Sequence, residues 1–277
     1  MAGQAWDFKN AGLEPGIAID PSVAHPARAY DYWLGGATHF PADRELGDAI
    51  MAAVPTMKFM ARANRSFMKR AVTFLAGEAG ITQFLDIGTG IPGPDNVHEV
   101  AQAINPACRI QYVDNDPIVL AHATSLLAGT PHGDTDFLLA DLHRPERIIE
   151  HLAATSTIDL SQPVALLLVA VLMFFHDADD PYAIVRTLLD VLPSGSYLAV
   201  SHPTSDFNAE QMAAAVAAAT YAGVTLVPRD EGQVTAFFNG TDLVQPGVVP
   251  VLDWRYEGER ASDPRAAYYY AGIGRKP

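Results

Sequence analysis

The chain of 277 residues is 49% hydrophobic and 18% charged, enough to fill a large core and hard to reconcile with global disorder. Its formal net charge is -14 and no dense Lys or Arg run occurs, so its surface repels phosphate backbones and a nucleic-acid substrate is not expected. The single cysteine, Cys108, allows no internal disulfide and fits a reducing compartment; near the end of an apolar stretch it reads as a small buried hydrophobe.

The opening MAGQAWDFKNAG has no basic start followed by an apolar run, so no signal peptide is expected. Residues 1–80 lack strand patterning and read as helices broken by turns. HPARAYDYWLGG closes on Gly35-Gly36, and FPADRELGDAI opens a helix after Pro41. In MKFMARANRSFMKRAVTFLAGEAG, Phe59, Met60, Ala63, Phe67, Ala71, Phe74 and Leu75 recur at helical spacing and read as core packing, with Gly77 or Gly80 ending the helix. Arg62, Arg65, Lys69 and Arg70 on the same stretch read as a solvated face.

From Thr82 onward short apolar runs alternate with helical segments. TQFLDIG, RIQYVDND, TDFLLADL, PVALLLVAVLMFF and GSYLAVSH read as five strands. Between them VHEVAQAIN, PIVLAHATSLLAG, PERIIEHLAA and PYAIVRTLLDVL read as helices, and the Ala-rich AEQMAAAVAAATYAG as a further one closed by Gly223. GVTLVP is expected to be a strand, and TAFFNG and AAYYYAGIGR to supply aromatic runs at the end of the sheet. The run Val164 to Phe175 falls short of the roughly 20 residues a membrane helix needs and reads as a strand covered on both faces, running into a loop. The pattern predicts α/β architecture, a doubly wound and mostly parallel sheet, in one domain spanning 1–277: a helical N-terminal extension or lid over 1–80 and the core over 81–277. No membrane span is expected, and the cytoplasm is the expected location.

Open α/β sheets bind ligands at the carboxyl ends of their strands. The first strand ends in Asp86-Ile87-Gly88-Thr89-Gly90-Ile91-Pro92-Gly93. Gly88 and Gly90 permit a tight turn and close backbone approach to a ligand. GTGIPG also satisfies the dinucleotide pattern, so an NAD(P)-dependent oxidoreductase is one reading. Against it, Asp86 places a carboxylate where a pyrophosphate would sit, and Pro92 removes a backbone N–H from the phosphate-binding turn. S-adenosylmethionine has no phosphate and carries a cationic sulfonium and an amino group, which an acid suits. The second strand ends in Asp114-Asn115, where a carboxylate can accept from both ribose hydroxyls; a nicotinamide enzyme would use the same device. The third ends in Asp141-Leu142, an acceptor for an adenine amino group beside an apolar side chain that packs on the ring.

Asp86-x-Gly88-x-Gly90, then Asp114, then Asp141-Leu142 resemble the motifs of class I S-adenosylmethionine-dependent methyltransferases. HPARAYDYWLGG, NRSFMKRAV, FLDIGTGIPG, YVDNDPIVL, FFNGTDLVQPG, VPVLDWRYEG and YYYAGIGRK narrow the resemblance to an actinobacterial S-adenosyl methyltransferase family (DUF574-like), over nearly the whole chain. Pro92 departs from the broad class, many members of which carry another glycine there. The resemblance implies a Rossmann-like methyltransferase fold and S-adenosyl-L-methionine as cofactor, and leaves the acceptor open.

The loop after the fourth strand, Val171 to Asp177, is where the acceptor is expected. It lacks the Asn/Asp-Pro-Pro-aromatic tetrad of enzymes that methylate nucleobase amines, which favours a small-molecule acceptor. His176 is the candidate general base and His202 a second; a loop histidine bonded to neighbouring backbone is the plainer reading of His176. No zinc-ligand spacing, Gly-x-Ser-x-Gly elbow or Walker loop occurs. Tyr30, Tyr32 and Trp33 are candidates to face the sulfonium from an N-terminal lid, with core packing as the competing role. A non-catalytic S-adenosylmethionine sensor is the remaining alternative, since no base is certain.

Overall fold

The computed structural model describes residues 19–126, 133–155, 157–256 and 263–277. The start of the extension (1–18) and the expected end of the helix at Gly129 lie outside them. Three helices come first: α1 (Pro26–Leu34), α2 (Pro41–Ala53) and α3 (Met57–Thr73). Proline opens α1 and α2 at a position that needs no N–H, and Gly35, at φ 87, closes α1. A π-helical turn, Phe74–Glu78, extends α3, and Gly80 at φ 69 ends it.

The alternating region follows as β1 (Gln83–Ile87), α4 (Val97–Ile104), β2 (Arg109–Asp114), α5 (Pro117–Leu126), β3 (Asp134–Leu139), α6 (Pro145–Ala154), β4 (Ala165–Val169), α7 (Pro181–Val191) and β5 (Tyr197–Pro203). The chain continues as α8 (Ala209–Tyr221), α9 (Glu231–Ala236), β6 (Asp242–Leu243), β7 (Val249–Pro250) and β8 (Tyr269–Arg275). The sheet runs β3-β2-β1-β4-β5-β8-β6, with β7 also on β8. β1 to β5 are parallel, and β8 lies antiparallel on β5. Strand order therefore reverses between β1 and β4, the position at which doubly wound sheets open a crevice.

Alternate residues of the central strands face opposite layers. Phe84, Ile110, Ala165, Leu167 and Ala199 pack with α1 to α4 and α8, while Leu85, Val113, Leu166, Leu168 and Val200 pack with α6 and α7. The N-terminal helices thus share one hydrophobic core with the sheet. No helix among the described residues is long and apolar enough to cross a membrane.

Several expectations need correction. GVTLVP is not a strand: β5 already pairs with β4 and β8, so no sheet edge is vacant beside it. Val224, Thr225 and Leu226 instead line a cavity, and the Val227 N–H donates to the Met173 carbonyl. TAFFNG forms the end of α9 and a turn, with Phe237 and Phe238 buried against the α6–α7 face. Phe59, placed in the apolar stripe of α3, is exposed; the other six stripe residues are buried.

Trp254 is the largest fully buried side chain, set edge-on to Phe67 at 5.4 Å and Phe74 at 6.0 Å. Arg70 secures the same segment, its guanidinium donating to the carbonyls of Trp254 at 2.8 Å and Val251 at 2.7 Å. Arg70 therefore belongs to an internal contact, not to a solvated face. Trp254→Ala is expected to cost about 3–5 kcal/mol, read as a lower urea midpoint at unchanged slope. A loss below about 1 kcal/mol would contradict this account of how the segment is held.

Candidate functional site

A cavity of about 420 Å³ opens at the carboxyl ends of β1 to β4 and is roofed by the N-terminal helices. Asp86, Gly88 and Gly90 reach it from β1, Asp114 and Asn115 from β2, Asp141 and Leu142 from β3. These seven residues, far apart in the chain, converge because parallel pairing puts every strand's carboxyl end on one edge.

The glycine turn is specified sterically. Gly88 has φ 76, and a Cβ there would lie 2.5 Å from Cγ2 of Val171, which follows β4. The two sides of the switch point can approach only with hydrogen at that position. Gly90 has φ 67, a Cβ there would meet nothing within 4 Å, and its N–H donates to Asp114 Oδ2 at 2.8 Å.

Asp114 is buried, and its other oxygen accepts from the Asp116 N–H at 2.9 Å. Burial pushes its carboxyl above the ordinary 3.8, against the pull of these two amides. A carboxylate has about four lone-pair sites, so two acceptor positions are left for a ligand. Asp86 is also buried, and its carboxyl accepts no hydrogen bond from the described residues. Burial raises it from 3.8 to about 7; Arg65 opposes the rise and Asp114 adds to it. Asp141 is half-exposed, and its Oδ1 faces the N–H and Nδ1 of His143 at 2.9 and 2.8 Å. Leu142 is buried beside it, and His143, also in the lining, stacks on Phe175 at 4.2 Å. Asn115 is exposed at the rim.

Tyr30 and Trp33 of α1 line the cavity. The Tyr30 hydroxyl donates to the Ala61 carbonyl at 2.9 Å and accepts from Asn64 Nδ2 at 3.0 Å, which fixes α1 on α3. Tyr32 does not belong to the lining: its ring packs on Gly47 of α2 and its hydroxyl donates to Asp48 at 2.8 Å. The helical period that aims Tyr30 and Trp33 inward turns Tyr32 toward α2.

The sequence reading missed two sets of residues. His25 Nδ1 lies 3.0 Å from Asp116 Oδ2, and the buried Arg28 sits between Asp116 at 3.5 Å and Asp43 at 3.6 Å. Asp116 also shares a turn with Asp114, so α1 is clasped to the strand end that carries the ribose candidate. The HPAR start of the aromatic segment was the available signal, but nothing in the sequence names its partner. Arg65, assigned to a solvated face, is half-buried in the lining and donates to the Pro94 carbonyl at 3.2 Å and Asn96 Oδ1 at 2.9 Å.

The family model described as S-adenosyl methyltransferase matches residues 14–277. The chain belongs to that family. It is similar to a DUF574 family protein from Streptomyces avermitilis, at 43% identity over 93% of this chain and 99% of that one, with a TM-score of 0.90. It is also similar to a protein of Thermobifida fusca YX assigned provisionally to the methyltransferases, at 38% identity over 92% and 96% of the two chains, with a TM-score of 0.84. No curated protein matches it. The chain is thus a methyltransferase on a Rossmann-like sheet, and S-adenosylmethionine is its cofactor.

The residues fit that cofactor better than a dinucleotide. Two of the turn's amides are already engaged, Gly90 on Asp114 and Gly93 on Asn96 at 3.0 Å, and Pro92 has none. Helix α4 starts only at Val97, with its first turn capped by Asn96 and Glu99, so no amide cradle awaits a pyrophosphate. Asp86 beside Arg65 instead offers a carboxylate and a guanidinium, the complement of an α-amino acid.

The structure brings neither histidine candidate to this site. His176 is exposed, caps the turn at Asp177–Asp179 through an N–H donated to Asp179, and lies 3.4 Å from Thr225. His202 is fully buried and bonded on both nitrogens, to the Pro203 carbonyl at 2.9 Å and Arg229 at 3.0 Å. Burial, with Arg229 alongside, pushes it down to about 3, so it stays neutral. Arg229 in turn donates to the carbonyls of Leu172 and Phe175 and holds the post-β4 loop in place from behind.

The raised Asp86 fixes the sign of a pH effect. Its folded-state value of about 7 lies above the ordinary 3.8, so the folded protein binds that proton more tightly than the unfolded chain. Stability is lost as pH rises through this window and is not regained above it. Asp86→Asn should therefore raise the melting temperature by several degrees at about pH 8, with the gap closing toward about pH 4. Thermal unfolding across that range checks it; equal melting temperatures at the alkaline end would contradict it.

Proposed function

We propose that this methyltransferase acts on a small-molecule acceptor and binds S-adenosylmethionine along the ends of β1 to β3. Asp114 accepts from the ribose hydroxyls, with Asn115 at the rim. Asp141 and Leu142 hold the adenine. Asp86 meets the amino group of the methionine end, the Gly88–Gly90 turn lets it approach, and Arg65 meets its carboxylate. Tyr30 and Trp33 cover the sulfonium from α1, an electron-rich surface for a cation. The convergence of Asp86, Asp114 and Asp141 on one cavity at three neighbouring strand ends carries this reading.

When bound, the cofactor supplies a methyl group on a cationic sulfur that leaves as a neutral thioether. The protein's part is to hold that carbon in line with the acceptor atom and exclude water, and such positioning supplies much of a barrier's reduction. The helices α1 to α3 close the cavity from one side and serve as the lid. Neither His176 nor His202 is retained as a base, because both lie off the cavity. The -14 charge and the cavity roofed by the N-terminal helices support a small molecule over a nucleic acid. We place the protein in the cytoplasm, in keeping with its single cysteine, Cys108, which can form no internal disulfide.

S-adenosylhomocysteine is expected to raise the melting temperature of the native chain. Asp114→Ala should weaken its binding by about 10- to 100-fold, the value of a charge-assisted hydrogen bond of roughly 1.5–3 kcal/mol. Transfer of labelled methyl groups from S-adenosylmethionine to a metabolite pool tests the catalytic half. A shift with NAD and none with S-adenosylhomocysteine would overturn the reading.

A further inference from the structure

The cavity continues past the cofactor end into a region walled by α2, α3 and α8. Ile50, Met60, Met173, Met212, Ala215 and Leu226 line it there. The acidic, basic and histidine residues of the lining lie elsewhere. Asp86, Asp114 and Asp141, with His143, stand at the ends of β1 to β3, His25 is paired with Asp116, and Arg65 is bonded to the turn after β1. Among the described residues no charged side chain faces the far region. An ion placed there would lose its hydration without gaining a counter-charge.

Polar side chains do border this region, and all but one have a nitrogen or oxygen partner within the protein. Asn64 gives its amide N–H to Tyr30 and accepts from Ser201 Oγ at 2.5 Å. Tyr30 both donates and accepts. Thr225 turns toward His176. Tyr269 differs: it lines the cavity at 2% exposure, and the partner of its hydroxyl is Met173 Sδ at 3.9 Å, a weak acceptor. A buried hydroxyl with so poor a partner is available to a ligand.

Resting on the cofactor reading above, we propose that the acceptor is a small, uncharged, largely apolar molecule held in this far region, with Tyr269 Oη as its hydrogen-bonding anchor. Size follows from space: about 420 Å³ must serve cofactor and acceptor together. The methionines widen the range of shapes accepted, since an unbranched thioether chain adapts to its neighbour. Tyr269 is a positioning residue: it orients the acceptor's polar group and takes no proton from it.

The test uses the full chain preloaded with S-adenosylhomocysteine and calorimetry with four probes: β-naphthol, naphthalene, β-naphthoate and β-naphthylmethylammonium. β-Naphthol is expected to bind, and both ions to bind at least about tenfold more weakly. Ala215→Phe fills the space and should abolish β-naphthol binding while S-adenosylhomocysteine affinity stays within about twofold. Tyr269→Phe, a milder change, should remove the preference for β-naphthol over naphthalene, about tenfold, and leave naphthalene unchanged. If the loaded protein ignores β-naphthol, binds either ion as tightly, or keeps the preference in Tyr269→Phe, the proposal is overturned. Failure to load S-adenosylhomocysteine in the first step would instead overturn the cofactor reading on which it rests.

Discussion

The hydrogen bond from the Gly90 amide to Asp114 joins the ends of β1 and β2 at the point where the sheet opens. It forms only because Gly90 takes φ 67, and because Gly88 beside it leaves room for Val171 across the switch point. Two glycines therefore do two jobs. One lets the turn close against β4, and the other aims an amide at the buried Asp114 carboxylate. With Asp116 donating to the second oxygen, Asp114 is fixed before any ligand arrives, so little ordering is left to the moment of binding.

That preorganisation works against the stability of the free protein. Asp86 and Asp114 are buried within electrostatic reach of one another, and burial raises both. Buried acids raised by desolvation and by one another in a single cleft mark a candidate functional site. The same edge carries a partial remedy in the clasp of His25 and Arg28 on Asp116. It brings positive charge near the acids and pins α1 over the cavity. The helices ahead of the sheet are thus both part of its core and the wall of its ligand site.

Much of this was legible in one dimension. Strand and helix alternation from Thr82 onward survives translation into structure because each element buries its own periodic face locally. The acids at strand ends could be read because parallel pairing forces consecutive carboxyl ends onto one edge. Where the reading failed, a partner distant in sequence decided the outcome. GVTLVP has the alternation of a strand, but β8 had taken the free side of β5. Arg65 and Arg70 look alike on a helix face, yet one borders the cavity and the other holds Trp254. Tyr30 and Tyr32 differ by two residues and so by roughly 200° around a helix, which sends one to the cavity and the other to α2.

The sequence by itself determined the architecture, the glycine turn and the three acids, since these follow from local periodicity, steric demand and the direction of parallel strands. Only the tertiary structure decided the rest. It set His176 and His202 off the cavity, tied His25 and Arg28 to Asp116, and assembled an apolar region with a poorly satisfied Tyr269 from α2, α3, α8 and β8. The physical reason is common to all of these. Whether a side chain is buried, paired or free depends on what the fold packs against it, and those neighbours come from parts of the chain that local sequence cannot identify.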